Sequence, residues 1–261
     1  MKKTLGVALG AGGSRGVAHV GFLQALEDEG VRPDFITGSS MGAVVGATYA
    51  ADVPLETIKK VIFRLRLAHL IAPTRQRGGL FDTRKIKKLL TRYVGEKSFE
   101  ELTIPFRCVA VDMISQSLVE FSKGKLIDGV IPSLSIPSIF RPTEKDGMRL
   151  IDGGILERVP VRQVKAMGAD VVVAVDVLGQ RKASEKMPGP IGILMETIDI
   201  MDNKRTEQRR KENEKIIDFW LEPKLETMSQ YSLKQVEFAF EKGYELGKEN
   251  VKKIKRRLSV K

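Results

Sequence analysis

The chain predicts an α/β fold with a mostly parallel central sheet covered on both faces by helices. Three observations carry that prediction. Short apolar runs alternate with segments of helical period along most of the chain, and strands separated by helices pair in parallel. The run 170–177 is Val and Ala throughout between Asp170 and Asp176, the pattern of a strand buried on both faces. A length of 261 residues with 42% hydrophobic content suits one large domain, 1–261, better than two small ones.

Residues 5–9 read as a buried first strand that enters a glycine loop, 10–16. Val20, Leu23 and Leu26 then recur at helical spacing until Gly30 stops that helix. Phe35, Ile36 and Thr37 form the second strand. Small residues after it make a helix to about Ala51. Pro54 opens a third helix, with Asp52 as its candidate cap and Ile58, Val61, Ile62 and Leu65 as its core stripe. Residues 73–80 read as a polar, basic loop and 83–93 as a basic amphipathic helix. Strands 105–113 and 118–121 form a hairpin around 114–116. Residues 132–142 are a Ser/Pro/Ile segment of irregular turns, and 148–151 is a short strand entering Asp152-Gly153-Gly154. A helix at 161–167 precedes the apolar strand 170–177. A charged loop with Pro and Gly covers 178–190. A long helix at 191–215, a strand at 217–221 and a terminal helix at 232–258 complete the chain.

Composition narrows the chemistry. The single cysteine, Cys108, excludes an internal disulfide, and one Cys with two His (His19 and His69) cannot build the usual zinc sites. No metal or other cofactor is expected. The net charge of +11 favours an anionic surface such as phospholipid headgroups, or serves solubility alone. It also admits nucleic acid, but no nucleic-acid module is recognisable and aromatics are only 6%, so no nucleic-acid partner is expected. No run is long and apolar enough to span a bilayer. The apolar stretch near the N-terminus is short, Gly-rich and interrupted by Arg15, unlike a secretory signal. The expected location is cytoplasmic, with peripheral contact at a membrane surface as an option.

Gly38-Ser39-Ser40-Met41-Gly42 joins a strand to a helix with serine at the centre of G-x-S-x-G. This is the arrangement of a nucleophile elbow: the central residue is held in a strained conformation, and Gly38 and Gly42 let the flanking elements pass closely. Ser40 is therefore the candidate nucleophile. A serine-histidine-acid triad of the α/β-hydrolase order is excluded, because no histidine follows residue 69. His19 and His69 read as structural. Asp152, at a strand end before two glycines, is the candidate base; a turn aspartate bonded to its own backbone is the equal alternative. The N–H groups of Gly12, Gly13 and Ser14 are expected to converge at a helix start, where a nest binds negative charge and would serve as an oxyanion hole if it faces Ser40. Arg15 is a candidate to orient that loop or an anionic substrate, or else a surface charge. The loop does not read as a dinucleotide fingerprint, because the second strand runs into the serine elbow rather than ending in a ribose-binding acid.

Four ordered motifs resemble the patatin-like phospholipase family. They are Gly10 to Gly16 running into Ala18-His19-Val20-Gly21; Gly38 to Ala43; Ser135-Ile136-Pro137-Ser138-Ile139-Phe140; and Asp152-Gly153-Gly154 with Val159-Pro160-Val161. The resemblance covers a core from about residue 4 to 177, leaving 178–261 as a helical and strand extension packing on it. It implies a three-layer α/β/α fold and cofactor-free hydrolysis of acyl esters, commonly of phospholipids. It also implies a Ser–Asp dyad of Ser40 and Asp152, with the Gly12, Gly13, Ser14, Arg15 loop as oxyanion hole. One departure is Ala11, which stands at the first glycine position of the family's G-x-G-x-x-G loop. The alternatives are a thioesterase or general carboxylesterase of the same fold, or a non-enzymatic lipid-binding regulator. Val17, Phe22, Leu80, Phe81, Ile136, Ile139 and Phe140 are candidates to line an acyl groove, or else core. Val251, Ile254 and Leu258, among Lys252, Lys253, Lys255, Arg256 and Arg257, form either an interfacial helix on anionic lipid or a terminal helix docked by its stripe.

Overall fold

A computed structural model of the chain describes residues 3–65, 70–74, 78–179, 189–225 and 228–259. Its first half alternates as expected: β1 (Leu5–Leu9), α1 (Ala18–Asp28), β2 (Phe35–Ser39), α2 (Met41–Ala50) and α3 (Leu55–Arg64). Short strands β3 (Ala72–Pro73) and β4 (Gly79–Asp82) precede α4 (Arg84–Val94), β5 (Phe106–Asp112) and β6 (Ser117–Phe121). Then come α5 (Leu126–Ser133), β7 (Ser138–Phe140), β8 (Thr143–Lys145), β9 (Met148–Asp152), α6 (Val161–Ala166) and β10 (Val171–Val175). The chain closes with α7 (Pro190–Glu212), β11 (Phe219–Leu221) and α8 (Val236–Ser259).

The main sheet has the order β11-β10-β1-β2-β5-β9-β8, with β6 also on β5. The strands from β11 to β5 run parallel, while β6, β8 and β9 are antiparallel to their neighbours. Alternation along the strands divides the core into two faces. Val171, Val173 and Val175 join Leu5, Val7 and Leu9 in the larger cluster, with α1, α2 and α8. Val172, Ala174 and Ala8 point the other way, onto Val161 and Val164 of α6. The sheet is thus a middle layer between two helical ones.

The edge of β5 positions the site. β2 pairs with its first half, ending with Ser39 opposite Val109. β6 takes the other edge, pairing Cys108 to Asp112. β9 therefore shares the β2 edge, running in from the opposite direction until Asp152 faces Ala110. The two strands abut end to end, so the turn after Ser39 and the last residue of β9 must meet.

Several local expectations change. α5 lies where no helix was read, although Leu126, Ile127, Val130 and Ile131 have helical spacing and are buried. The expected loop 73–80 contains parts of β3 and β4, which form a small sheet with β7 from the expected irregular segment; residues 75–77 lie outside the described residues. Asp52 does not cap α3. Its carboxylate is held by Arg32 and Thr103, and Pro54 stands at the helix start. The long helix ends at Glu212, three residues early, and a short 3-10 turn leads to β11. Of the expected loop 178–190, residues 180–188 lie outside the described residues.

The terminal helix α8 is docked. Val251 and Ile254 are fully buried and Leu258 packs against the same core. Small residues bring α8 and α1 together: a side-chain carbon at Gly243 would overlap the Ala18 carbonyl. The interfacial reading of that stripe is corrected, because the apolar side is spent on α1. The stripe of α4 likewise turns inward through Ile86, Leu90 and Val94.

Candidate active site

Ser40 sits between β2 and α2 with φ 53° and ψ −122°, a conformation that costs a non-glycine residue energy and survives only where its surroundings impose it. Those surroundings are close. A side-chain carbon at Gly42 would overlap the Leu9 carbonyl, and one at Gly38 would lie 2.6 Å from Ala43 Cα. The elbow read from the sequence is present, and its two glycines are required by packing.

Ser40 Oγ donates a hydrogen bond to Asp152 Oδ2 at 2.6 Å. Asp152 Oδ1 accepts the Gly154 N–H at 2.7 Å. One oxygen of this aspartate therefore closes its own turn while the other faces the serine. Both side chains are nearly sealed, with Ser40 4% and Asp152 6% exposed. Burial pushes the Asp152 carboxyl up to about 7, against the pull of the Ser40 and Gly154 hydrogen bonds, and the negative charge of Asp202 adds to the rise. Such a carboxyl can both accept and return a proton near neutral pH.

The end of α5 and the residues just after it tie Ser40 and Asp152 together. Ser133 Oγ accepts the Ser40 N–H at 3.0 Å, and the Ser135 carbonyl accepts the Asp152 N–H at 3.0 Å. His19 stands apart from this chemistry. It is fully buried, its Nε2–H donates to Gly10 O at 2.8 Å, and burial lowers its imidazole to about 4. It is a neutral brace for the glycine loop. His69 lies outside the described residues.

The glycine loop adjoins the dyad. A side-chain carbon on Gly154 would lie 3.0 Å from both Ala11 Cβ and Asp152 Oδ1, and one on Gly16 would strike Met41. Gly13 has φ +52°, open to glycine. Among the described residues, the N–H groups of Gly12 and Gly13 carry no hydrogen bond, whereas Gly10 donates to Val175 O and Ala11 to Arg158 O.

This arrangement has relatives. The sequence model for patatin-like phospholipase matches residues 7–165. The chain belongs to the patatin-like phospholipase family. It is 37% identical over 175 residues to an uncharacterised NTE family protein of Mycobacterium tuberculosis (strain ATCC 25618 / H37Rv), an alignment covering 66% of this chain and 49% of that one. It is 34% identical over 182 residues to a lysophospholipase, NTE1, of Coccidioides immitis (strain RS), covering 67% of this chain and 12% of that one. The chain spans about half the length of the mycobacterial relatives it matches and a small part of the fungal one. Among solved structures, VipD from Legionella pneumophila superposes with a TM-score of 0.62 at 13% identity, over 97% of this chain and 67% of that one. The type III effector ExoU does so with 0.54 at 12% identity, over 100% of this chain and 54% of that one. These likenesses are likenesses of fold.

Within this patatin-like fold, two members of the expected oxyanion loop are reassigned. The Ser14 N–H donates to Gln230 O at 2.9 Å and its hydroxyl to Ser229 O at 3.1 Å, so neither is free to meet an oxyanion. Arg15 is no surface charge and no substrate ligand. It is 1% exposed, and its guanidinium donates to the carbonyls of Met228, Val177 and Leu225. Its N–H closes the loop onto Gly12 O at 3.1 Å. Arg15 therefore fastens the loop to the C-terminal segment, and the candidate donors narrow to Gly12 and Gly13.

A buried ionic cluster behind the dyad is a feature that sequence reading missed. Arg158 Nη2 bonds Asp176 at 3.0 Å, and Arg158 Nη1 bonds Asp202 at 2.9 Å and Asn203 at 2.6 Å. Arg205 Nη2 donates to Asp202 at 2.7 Å and reaches the Gly154 carbonyl at 3.3 Å. Helix α7 thus touches the turn that follows Asp152. In sequence, Asp202 and Arg205 look like a solvated i,i+3 pair, and nothing local marks them.

The acyl-groove candidates divide. Val17 and Phe22 are fully buried core and are corrected. Phe140 is buried; Phe81, Ile136 and Ile139 are half-buried against the core; Leu80 is 68% exposed. Among the described residues, no group of three or more His, Cys, Asp or Glu side chains could hold a metal ion, and no helix is long and apolar enough to cross a membrane.

Proposed function

We propose that the chain is a serine acyl hydrolase that cleaves fatty-acyl ester bonds of phospholipids or related lipids through Ser40, Asp152 and an acyl-enzyme. The reading rests on one observation above all, the 2.6 Å hydrogen bond from Ser40 Oγ to a buried Asp152 oxygen, in a site whose described histidine is committed to Gly10. As Ser40 Oγ attacks the ester carbonyl, its proton passes to Asp152 Oδ2. The N–H groups of Gly12 and Gly13, with the N-terminus of α2, meet the negative charge that develops on the carbonyl oxygen. Collapse breaks the acyl–oxygen bond, and the leaving alcohol takes the proton from Asp152. Asp152 then removes a proton from water, which attacks the acyl-serine, and the fatty acid departs as Ser40 is restored.

A raised carboxyl suits both steps, since a base whose conjugate acid titrates near neutrality returns its proton readily to the leaving group. The net charge of +11 suits a substrate presented in an anionic lipid surface.

The experiment is labelling with a fluorophosphonate probe. The folded protein is expected to label on Ser40, and Ser40→Ala is expected to lose all labelling. Absence of labelling, or labelling that survives Ser40→Ala, rejects the reading. Turnover of phospholipid and lysophospholipid vesicles, beside short p-nitrophenyl esters and acyl-thioesters, separates a lipid hydrolase from a carboxylesterase or thioesterase.

A further inference from the structure

Two amphipathic helices that could meet a membrane, α4 and α8, spend their apolar stripes on the core. A third does not. In the first half of α7, Ile193 is 49% exposed, Leu194 56%, Ile198 36%, Ile200 63% and Met201 64%. Five large apolar side chains in nine residues is far from the scattered exposure of an ordinary surface. Thr197 lies exposed among them, and its hydroxyl donates to Ile193 O at 2.8 Å.

The rest of the helix changes character. Between residues 204 and 212 there are five cationic and two acidic side chains. Lys204 and Lys211, whose side chains are 79% and 75% exposed, continue the outward stripe beyond Met201 at helical spacing. One helix therefore offers an apolar segment followed by a basic one, on a chain of net charge +11. That order fits hydrocarbon beside phosphate headgroups.

The same helix is fixed to the candidate site at two points. Asp199 accepts from Gln230 Nε2 at 3.1 Å, and the Gln230 carbonyl holds the Ser14 N–H of the glycine loop. Arg205 reaches the Gly154 carbonyl beside Asp152. A surface on which α7 lay would thus come to the edge of the machinery.

We propose that the exposed apolar face of α7, carried by Ile193, Leu194, Ile198, Ile200 and Met201, docks the protein on an anionic phospholipid bilayer. The proposal rests on the lipid-hydrolase reading for its purpose, but its test does not depend on turnover.

The probe is co-sedimentation of the full chain with vesicles of phosphatidylcholine containing phosphatidylglycerol, with pure phosphatidylcholine vesicles alongside. The wild type is expected to bind the anionic vesicles, more weakly at high salt. The variant Ile193→Ser/Ile200→Ser/Met201→Ser is expected to bind about tenfold or more weakly, since each side chain surrenders apolar area. Its thermal midpoint and its turnover of a short soluble ester are expected to match the wild type. Equal binding by variant and wild type, or no binding by either, overturns the proposal. So does a lowered thermal midpoint in the variant, which would mean that the face is packed within the molecule. Self-association of the wild type that the variant abolishes, read by light scattering, would assign the face to a second copy instead. Loss of ester turnover in the wild type itself with vesicle binding intact would reject the hydrolase reading and leave the docking surface standing.

Discussion

Ser133 Oγ accepts the backbone N–H of Ser40 at 3.0 Å. The strained residue of the elbow is therefore braced by a side chain 93 residues away, in a segment that also bonds Asp152 through the Ser135 carbonyl. Replacing Ser133 with Ala leaves a buried N–H without its acceptor, a cost of about 1–3 kcal/mol. Because that cost falls on the geometry of the proposed nucleophile, kcat for a short ester is expected to fall roughly 10-fold to 100-fold, with KM little changed. Steady-state kinetics on p-nitrophenyl butyrate read this, and an unchanged kcat would mean that the elbow holds itself.

Asp152→Asn tests the proposed base directly. An asparagine can still accept from Gly154 through its carbonyl oxygen, but the group that then faces Ser40 is an amide N–H, which donates and cannot take a proton. Turnover is expected to drop by about a thousandfold or more while the circular dichroism spectrum stays native. Retained activity would point to another base. The stability of the two proteins should also diverge with pH. The folded Asp152 carboxyl titrates at about 7, against an ordinary 3.8, so between those values the folded state keeps a proton that the unfolded state has released. The wild type is expected to lose stability relative to Asp152→Asn as pH rises from about 4 to about 7, and to hold a constant deficit above. Urea midpoints across that range measure it.

The proximity of Ser40 and Asp152, the candidate nucleophile and base, was legible because each sits in a glycine-marked turn after an apolar run: Gly38 and Gly42 around Ser40, Gly153 and Gly154 after Asp152. Glycine there reports a steric demand that any sequence must satisfy. The braces were not legible. Ser133 is one serine in a Ser/Pro segment, and only the abutment of β2 and β9 on β5 gives it a task. Asp202 and Arg205 lie on a helix whose charges resemble a solvated face until α7 is seen on Gly154. For Arg15 the sequence offers orienting the loop, meeting an anionic substrate or lying on the surface, and it does not choose among them, because arginines seldom sit at 1% exposure and its acceptors lie more than 160 residues away in sequence. The stripe of α8 was visible, but spacing alone does not say whether lipid or α1 covers it.

The pH dependence of turnover follows from the same carboxyl. Only ionised Asp152 can take the Ser40 proton, so kcat/KM on a soluble ester is expected to rise with pH along a limb of apparent pKa about 7. Asp202 contributes to that value through its negative charge. Asp202→Asn removes the charge and leaves the Arg158 and Arg205 cations without it, and both changes favour ionised Asp152. The acid limb is expected to move to lower pH. A limb that stays in place would show that burial alone sets it, and a limb that moves up would contradict the charge argument.

Arg15 makes the last prediction, which separates anchoring from catalysis. Its guanidinium holds the carbonyls of Met228, Val177 and Leu225 while being almost wholly buried. Arg15→Met keeps most of the volume and removes every donor, leaving buried acceptors unpaired. A loss of roughly 3 kcal/mol or more in unfolding free energy is expected from urea titration. Arg15→Lys restores the charge but not the planar fork that reaches three carbonyls, so it is expected to recover only part of that loss. The loop carrying Gly12 and Gly13 is fastened to the same C-terminal segment through Ser14. Loosening it should slow fluorophosphonate labelling of the protein that remains folded, while the acid limb of the pH profile stays near its wild-type position. A shifted limb would mean instead that Arg15 acts on Asp152 through its charge.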